Sequence, residues 1–259
     1  MERATAWIGR IVLAFLYVPI IAVIVYSFNA SDVSYHWKGL SLRWYRALFA
    51  DTALLDSLRV SVIVGVCAAT AATVIGVLTA AALVRPDTPG RRTVLGLVSV
   101  PLIVPEIVLG VALLSLFSSL HITLGLCTLV IGHVVLTLPM STLVMMGAMS
   151  SLDPSLPDAA ADLGTTGFGA FRRVVIPLLR PAIGASWLLA FTTSFGNIVM
   201  STFTNGVGST TMPLRVYSLL KTGLTPEINA LGALLIAFTV VVVLLVGVSQ
   251  LRNIVARTR

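Results

Sequence analysis

The stretch Asp158-Ala-Ala-Ala-Asp-Leu-Gly164, followed by Val174-Val-Ile-Pro177, lies in a polar interval between two uncharged apolar runs of membrane-spanning length. Because about 20 mostly apolar residues cross a bilayer as a helix, this interval must join two spanning helices at one membrane surface. Ala159 and Ala160 leave a helix surface poor in side chains, which the backbone of another protein can approach closely. The stretch therefore predicts a contact segment at the membrane surface.

The residues around this stretch predict a helix, a sharp turn and a second helix. Asp153 followed by Pro154 predicts a helix start, since Asp caps helices and Pro suits the first helical position. Gly164 can take the left-handed conformation that ends a helix, and Thr166 can cap the next one. Apolar residues then recur at helical spacing up to Pro177, which we expect to break the second helix.

The composition of the chain places it in a membrane. Of its 259 residues, 57% are hydrophobic and 10% are charged, with a mean hydropathy of +1.01. Soluble domains usually carry about a quarter charged residues, so we predict an all-α polytopic membrane protein with a single membrane domain, residues 1–259. The net charge of +7 is better explained by arginines that set topology than by nucleic acid binding.

Six apolar runs are long enough to cross a bilayer. They lie near Ile11–Phe28, Val60–Val84, Val94–Leu120, Thr123–Met149, Ala182–Thr204 and Ile228–Gln250. The first run has no small-residue cleavage site, so we expect a retained helix and not a cleaved signal peptide. An even number of spans puts both termini on the same side of the membrane.

The basic residues between the runs indicate which side this is. With both termini inside, eleven basic residues fall inside and six outside. The inside set is Arg3, Arg10, Arg85, Arg91, Arg92, Arg172, Arg173, Arg180, Arg252, Arg257 and Arg259, and the outside set is Lys38, Arg43, Arg46, Arg59, Arg215 and Lys221. Because cytoplasmic loops carry an excess of Lys and Arg, we predict cytoplasmic termini and a cytoplasmic loop at residues 150–181.

Polar residues inside the apolar runs are candidates for a transport path. Glu106, in the third run, is the only acidic residue inside any of the six, and an ionisable group at this depth usually faces protein or a watery cavity. The fifth run carries a polar patch of Thr192, Thr193, Ser194, Gly196 and Asn197, of which we single out Thr193, Ser194 and Asn197. For Glu106 and for this polar patch, lining a path and bonding between helices stay open as alternatives. His133, in the fourth run, is more typical of an interhelical hydrogen bond than of a ligand.

Two further patterns concern packing and the outer surface. Small residues recur every four positions in the second run, a pattern along which membrane helices pack closely: Ala68, Ala72, Gly76 and Ala80. After the first run, Ser41 can cap a short helix near Trp37 and Trp44, and four of its apolar residues share a face: Leu42, Tyr45, Leu48 and Phe49. We predict that this helix lies at the outer membrane interface with its aromatic side toward lipid.

The spacing of the polar stretch resembles the coupling loop of importer-type ABC transporter permeases. In that loop Glu-Ala-Ala is followed after three residues by Gly, and after nine more by Ile-x-Leu-Pro; here Asp158 stands for Glu, Val174 for Ile and Ile176 for Leu. An ordinary cytosolic connector is the alternative. The resemblance implies that the following residues meet a cytoplasmic ATPase and relay its closure to the membrane helices: Asp158, Ala159, Ala160, Gly164, Val174, Ile176 and Pro177.

Beyond the loop, the whole chain resembles the spermidine/putrescine importer permeases, and among them the second of the two permease subunits. Matching stretches include Ser27-Phe-Asn-Ala-Ser31, Pro105-Glu-Ile-Val108 and Met212-Pro-Leu-Arg-Val-Tyr-Ser218. The resemblance is weaker at Ser194-Phe-Gly-Asn197, where the pattern of the polyamine members is Ser-Met-Asp-Asp, so this chain lacks two acidic groups that would suit a polycation. Since related permeases serve other small solutes, a small amine or an aminophosphonate is the alternative to a polyamine.

The resemblance implies a type I ABC importer permease fold with six transmembrane helices in a bacterial cytoplasmic membrane. The partners it implies are two ATPase subunits, a second permease subunit and an extracytoplasmic solute-binding protein, all around a lipid bilayer. The chain has no Gly-x-x-x-x-Gly-Lys-Ser/Thr phosphate loop, so we expect ATP to be bound by the partners, with no cofactor, metal or enzymatic activity in this chain. A stand-alone secondary carrier or channel is the rival from another class.

Overall fold

The computed structural model is helical, and its described part comprises residues 2–33, 36–84, 88–222 and 226–257. Within these ranges the α-helices are α1 Glu2–Tyr26, α2 Arg43–Ala50, α3 Thr52–Leu83, α4 Arg91–Ile103, α5 Glu106–Ser119, α6 Leu126–Ser150, α7 Leu156–Asp162, α8 Gly167–Ala170, α9 Ile176–Phe195, α10 Val199–Thr204, α11 Met212–Thr222 and α12 Pro226–Arg257. A π-helical turn, Phe171–Val175, joins α8 to α9. The same ranges contain no strand, only an isolated bridge between Asn29 and Leu40, which agrees with the all-α prediction.

The helices account for most of the predicted spans. Four stretches are long and apolar enough to cross a membrane: Gly9–Tyr26, Thr52–Leu83, Leu126–Ser150 and Gly167–Phe195. The third predicted span is not one straight helix, because α4 and α5 bend by 110° at their junction; counted together they supply a fifth span. The sixth predicted span coincides with α12, whose described apolar part, Pro226–Phe238, is shorter than a full span.

The chain forms two compact units. The first consists of Met1–Leu55 and Val216–Arg259, and the second consists of Asp56–Arg215. In the first unit α12 packs against both α1 and α2. The α1–α12 contact is close, since a Cβ added at Gly232 would lie 3.1 Å from Cγ1 of Val23.

The aromatic residues of α2 do not share one environment: Trp44 and Tyr45 are half-buried and bond within their own unit, whereas Phe49 is exposed. The Trp44 indole N–H donates to the carbonyls of Asn29 (3.1 Å) and Ser31 (3.2 Å). The hydroxyls of Tyr45 and Ser27 lie 2.6 Å apart. Helical periodicity predicts that Trp44 and Tyr45 lie close together on the helix. It does not predict that the residues before the helix offer hydrogen-bond partners for the indole N–H and the phenol hydroxyl. The exposed apolar side chains of this segment are Leu40, Leu42 and Phe49.

The small-residue stripe of α3 packs inside the second unit as predicted. Ala68, Ala72 and Ala80 are fully buried. A Cβ added at Gly76 would lie 3.0 Å from the carbonyl carbon of Ser141 on α6, so the two backbones approach as closely as small residues permit. One end of this interface is closed by a core cluster from α3, α6 and α9: Val77, Ala80, Met145, Met149 and Leu179.

Pro177 does not break a helix, which corrects the prediction. The π-helical turn lies directly before it, with the Ile176 N–H bonded to the Phe171 carbonyl, and α9 then continues through Pro177 and Pro181. A proline lacks the N–H that closes an ordinary helical turn, and a wider π turn is a common way to absorb such a mismatch. The segment after Thr166 is therefore continuous with a spanning helix.

Candidate functional site

Two of the predicted spans are interrupted inside the second unit. Val104 and Pro105 separate α4 from α5, because a proline drives the residue before it out of the helical conformation. Residues 196–198 separate α9 from α10, so the fifth predicted span is split as well. Such breaks free backbone groups that a membrane interior cannot hydrate, and side chains must satisfy them.

Glu106 links the two interruptions. Its carboxylate accepts hydrogen bonds from Nδ2 of Asn197 and, at 3.3 Å, from the backbone N–H of Met200. Oδ1 of Asn197 accepts the same N–H at 2.8 Å. Both Glu106 and Asn197 are half-buried. The structure thus brings into direct contact the acidic residue and the amide that the sequence singles out on different spans.

His133 on α6 extends this network. The ring lies between two hydroxyls, with Nδ1 2.7 Å from Oγ of Ser194 and Nε2 3.1 Å from Oγ of Ser201. Ser201 donates its own proton to the carbonyl of Asn197 (2.9 Å), so its oxygen accepts a hydrogen bond from Nε2 of His133. His133 is fully buried, and its predicted interhelical role is confirmed. We call Glu106, Asn197, Ser201, His133 and Ser194 the polar bridge.

The predicted polar patch of the fifth run is divided between two sides of α9. Ser194 is buried and its hydroxyl is bonded to His133, which favours the interhelical alternative for this residue. Thr193 is exposed. The polar side chains of the patch with open surface are therefore Thr192, Thr193 and Asn197, together with Glu106 from α5.

Metal and disulfide chemistry find no support among the described residues. Within those ranges, no group of three or more His, Cys, Asp or Glu side chains could hold a metal ion. Cys67 and Cys127 are both free and exposed.

Residues 153–170, here called the hairpin, are shaped by two caps. Gly164 has a φ of 78°, its N–H bonds to the Ala161 carbonyl at 2.8 Å, and the next N–H, of Thr165, bonds to the Ala160 carbonyl at 3.1 Å. These two bonds form the Schellman arrangement, in which a left-handed residue ends a helix. Oγ1 of Thr166 accepts the N–H of Gly169 at 3.2 Å and caps α8. Both caps are where the sequence predicts them.

The first helix of the hairpin begins two residues later than predicted. Asp153 does not cap α7; its carboxylate accepts the N–H (2.9 Å) and the hydroxyl (2.7 Å) of Ser155. These bonds lower the pKa of Asp153. The proline in the first turn of α7 is Pro157 and not Pro154. Asp and Pro suit a turn as well as a helix start, so the pattern does not distinguish the two.

The hairpin exposes apolar side chains that the motif does not identify. Leu163 is 87% exposed and Phe168 is 74% exposed. Ala159 is also exposed, whereas Ala160 is only 6% exposed. Ala160 is therefore an internal packing residue, which corrects its predicted place on the contact surface, because successive helix residues point about 100° apart. The side chain of Asp158 lies outside the described part of the structure.

The segment after the hairpin connects it to the spanning helices. Phe171, Val175 and Ile176 pack against the core cluster of α3, α6 and α9. Val174 and Pro177 are half-buried in the same segment, while the two arginines at 172 and 173 are exposed. The segment after the hairpin therefore joins it to the helices that carry the core cluster through packed side chains.

The chain is similar to known membrane proteins of one transport family. The family described as "Binding-protein-dependent transport system inner membrane component" matches residues 72–259. The chain is 39% identical over 235 residues to the spermidine/putrescine transport system permease protein PotC of Haemophilus influenzae, with 91% of each chain covered. It is 38% identical to PotC of Escherichia coli K12, covering 89% of this chain and 88% of that one. It is 36% identical to the putrescine permease PotI of the same strain, covering 86% and 82%.

Solved structures share the fold. The structure of a bacterial ABC transporter that imports the acidic polysaccharide alginate contains a chain similar to this one, with a TM-score of 0.73, 17% identity, and 96% and 95% of the two chains covered. The methionine ABC transporter MetNI in an inward-facing conformation gives a TM-score of 0.62 at 18% identity, covering 85% of this chain and all of that one. At these identities the likeness concerns the fold alone.

Proposed function

Because this chain belongs to the family of binding-protein-dependent transport system inner membrane components, we propose that it is the permease subunit of a bacterial importer for polyamines. The observation that carries the proposal is the half-buried Glu106 carboxylate at the meeting point of two interrupted helices. A cation that crosses a low-dielectric path needs such an acceptor, since an unpaired buried charge costs several kcal/mol. Similarity to polyamine permeases over most of the chain supports the same solute class.

We place the solute path beside the polar bridge. Glu106 and Asn197 retain open surface, and Thr193 is exposed nearby in sequence on α9. Ser194 contributes indirectly, by fixing the His133 ring that holds Ser201 against Asn197. In this arrangement a passing ammonium group meets one carboxylate and neutral oxygens.

We propose that the hairpin is the coupling element for a partner ATPase. Its turn presents Leu163, Phe168 and Ala159 as an exposed apolar surface. The segment that follows it packs against the core cluster through Phe171 and Val175. An ATPase that grips the turn and closes would therefore displace α3, α6 and α9 together.

Family membership supports the remaining partners, and the excess of basic residues in the predicted inside segments supports the orientation. We propose two ATPase subunits, a second permease subunit and an extracytoplasmic solute-binding protein around this chain, with both termini in the cytoplasm. Labelling with an impermeant thiol reagent tests the orientation in a variant that lacks Cys67 and Cys127. Asp162→Cys should react only from the cytoplasmic side, and Val207→Cys, at a fully exposed position, only from outside. The opposite pattern contradicts both the orientation and the coupling role.

One observation favours a second solute class. The only described partners of the Glu106 carboxylate are neutral: an amide side chain and a backbone N–H. Asn197 also stands at a position that is acidic in the Ser-Met-Asp-Asp pattern of the polyamine permeases that this chain resembles. A single carboxylate suits a singly charged amine or a zwitterionic aminophosphonate. The second permease subunit would have to supply further acids for a polyamine.

The solute is tested by ATP hydrolysis in the assembled importer. The full assembly in lipid, with its solute-binding protein, is presented with spermidine, putrescine, simple monoamines and aminophosphonates in turn. We expect polyamines to stimulate hydrolysis above the basal rate. Stimulation by an aminophosphonate alone would assign the solute to the second class. Stimulation by none of these compounds would contradict both solute classes.

A further inference from the structure

Three buried hydroxyl groups on the long helices of the second unit lack a hydrogen-bond partner among the residues that the structure describes. They are Oγ1 of Thr73 on α3, Oγ of Ser141 on α6 and Oγ of Ser186 on α9. The three residues are 3%, 1% and 0% exposed. A buried hydroxyl without a partner loses the hydrogen bonds that it makes in water, and native proteins rarely leave one in that state.

Neighbouring hydroxyls on the same helices are satisfied locally. Thr137 and Thr142 on α6 donate to the carbonyl four residues before them, at 2.7 and 2.9 Å, and Thr192 on α9 does so at 3.0 Å. This bond to the preceding turn is the usual solution for Ser and Thr in helices without water. Thr73, Ser141 and Ser186 do not make it, so their bonding capacity is left for a group between the helices.

Ser141 and Ser186 face each other across the α6–α9 interface. The helices run antiparallel, since His133 bonds to Ser194 at one end and Met149 shares the core cluster with Leu179 at the other. Buried residues recur every four positions on both sides: His133, Thr137 and Ser141 on α6, and Ser194, Ala190 and Ser186 on α9. The His133–Ser194 bond fixes the register, and about two turns further along both stripes lie Ser141 and Ser186.

The third hydroxyl lies on α3, about one helical turn from the point where α3 touches Ser141. The Cβ position of Gly76 lies 3.1 Å from Cβ of Ser141, so α3 touches α6 at this serine. Thr73 lies about one turn before Gly76, roughly 5 Å along the helix axis, and it is buried on α3 as Ala72 and Val77 are. Three helices therefore direct one unpartnered hydroxyl each toward a common region.

We propose that Thr73, Ser141 and Ser186 form an internal water-binding site between α3, α6 and α9. Each hydroxyl can both donate and accept, and a buried water typically makes two to four hydrogen bonds to such groups. All three groups are neutral, so the site suits a neutral ligand with donor and acceptor capacity and offers no counter-charge to a cation. The bound water ties together the same three helices that carry the core cluster beneath the hairpin.

A double-mutant cycle tests whether the hydroxyls share a ligand. Ser141→Ala, Ser186→Ala and the double variant are compared by thermal unfolding of the full chain, purified from membranes with the subunits that accompany it. We expect each single variant to lower Tm by about 2–4 °C. The double variant should lower it by little more than one of them, because either change removes the same bridge.

The matched control uses a hydroxyl that is bonded within its own helix. Thr142 is fully buried and donates to Leu138, so the effects of Thr142→Ala and Ser186→Ala should add. Additive effects for Ser141 and Ser186, or single variants as stable as the wild type, overturn the proposal. If the variants do not accumulate, a structure that resolves ordered water decides. Density within hydrogen-bonding distance of at least two of the three hydroxyls supports the site, and hydroxyls bonded to their own preceding turns overturn it.

Discussion

The polar bridge and the hairpin belong to the same unit, yet they distribute polar and apolar groups in opposite ways. In the polar bridge, ionisable and amide groups lie at membrane depth and bond to one another, with His133 fully buried between two serines. In the hairpin, two large apolar side chains, Leu163 and Phe168, are mostly exposed.

The difference separates a region that is complete from one that requires a partner. Buried polar groups are tolerated when they are satisfied within the fold, and the bridge meets that condition through five side chains, one backbone N–H and one backbone carbonyl. Exposed apolar residues grouped at a turn typically mark a protein contact. Changes in the bridge should therefore alter the solute and the stability of the chain, whereas changes in the hairpin should alter the partner.

The strongest test of this contrast is Gly164→Val. A left-handed conformation costs a side-chain-bearing residue about 1–2 kcal/mol, and loss of this conformation removes the two bonds that end α7. We expect the chain to reach the membrane normally while solute uptake is lost and ATP hydrolysis continues uncoupled. Gly167→Val is the matched control, since neither added Cβ meets an atom within 4 Å and only Gly164 has a positive φ. Equal uptake by both variants would remove the hairpin from the mechanism.

Next in expected size is the loss of the exposed apolar surface. Leu163→Ser and Phe168→Ser should each weaken binding of the ATPase subunit by about tenfold or more, since burying such a side chain contributes about 1.5–3 kcal/mol. Copurification at graded salt and detergent measures the effect. Leu163→Met keeps an apolar group of similar size and should retain binding. Retention by the serine variants as well would show that the exposed face is not the contact.

A smaller effect on uptake is expected from Glu106→Gln. Glutamine keeps an oxygen that can accept from Asn197 and Met200 but removes the charge, so assembly and basal ATP hydrolysis should persist. We expect uptake of a cationic solute to fall by about tenfold, equivalent to about 1.4 kcal/mol. Thr193→Ala, which removes an exposed neutral hydroxyl, serves as the comparison and should have less effect. Unchanged uptake in Glu106→Gln returns this residue to a purely structural role.

The smallest effect concerns stability alone. His133→Leu leaves Ser194 without its described partner and should lower the free energy of unfolding by about 1–3 kcal/mol. Thermal unfolding in lipid measures this change. His121→Asn is the control, because His121 is exposed with a φ of 54° and Asn tolerates that conformation. A variant at position 133 as stable as the wild type would mean that the buried ring is not what holds the bridge together.

The sequence anticipates those features that a few residues decide locally. Gly164 and Thr166 cap helices where their chemistry predicts, and the small-residue stripe of α3 packs as its spacing requires. The sequence singles out Glu106 and Asn197 on separate spans, but nothing local reveals that two helix breaks bring these side chains into contact.

The features that sequence reasoning missed depend on what lies opposite a residue. The motif treats Ala159 and Ala160 alike, but only the tertiary packing shows that one is exposed and the other buried. Pro177 predicts a break, and the π turn that accommodates it has no signature in the motif. Trp44 turns inward because Asn29 and Ser31 present carbonyls to it, which periodicity alone does not predict.

Uptake into proteoliposomes tests the central claim most directly. One set of vesicles contains this chain alone. A second contains the full assembly, and a third contains the assembly with Gly164→Val; both receive ATP on the side of the membrane that carries the ATPase subunits. We expect solute to accumulate only in the second set, with ATP hydrolysis in both assemblies. Accumulation by the chain alone, without ATP, would contradict the account and favour a stand-alone carrier.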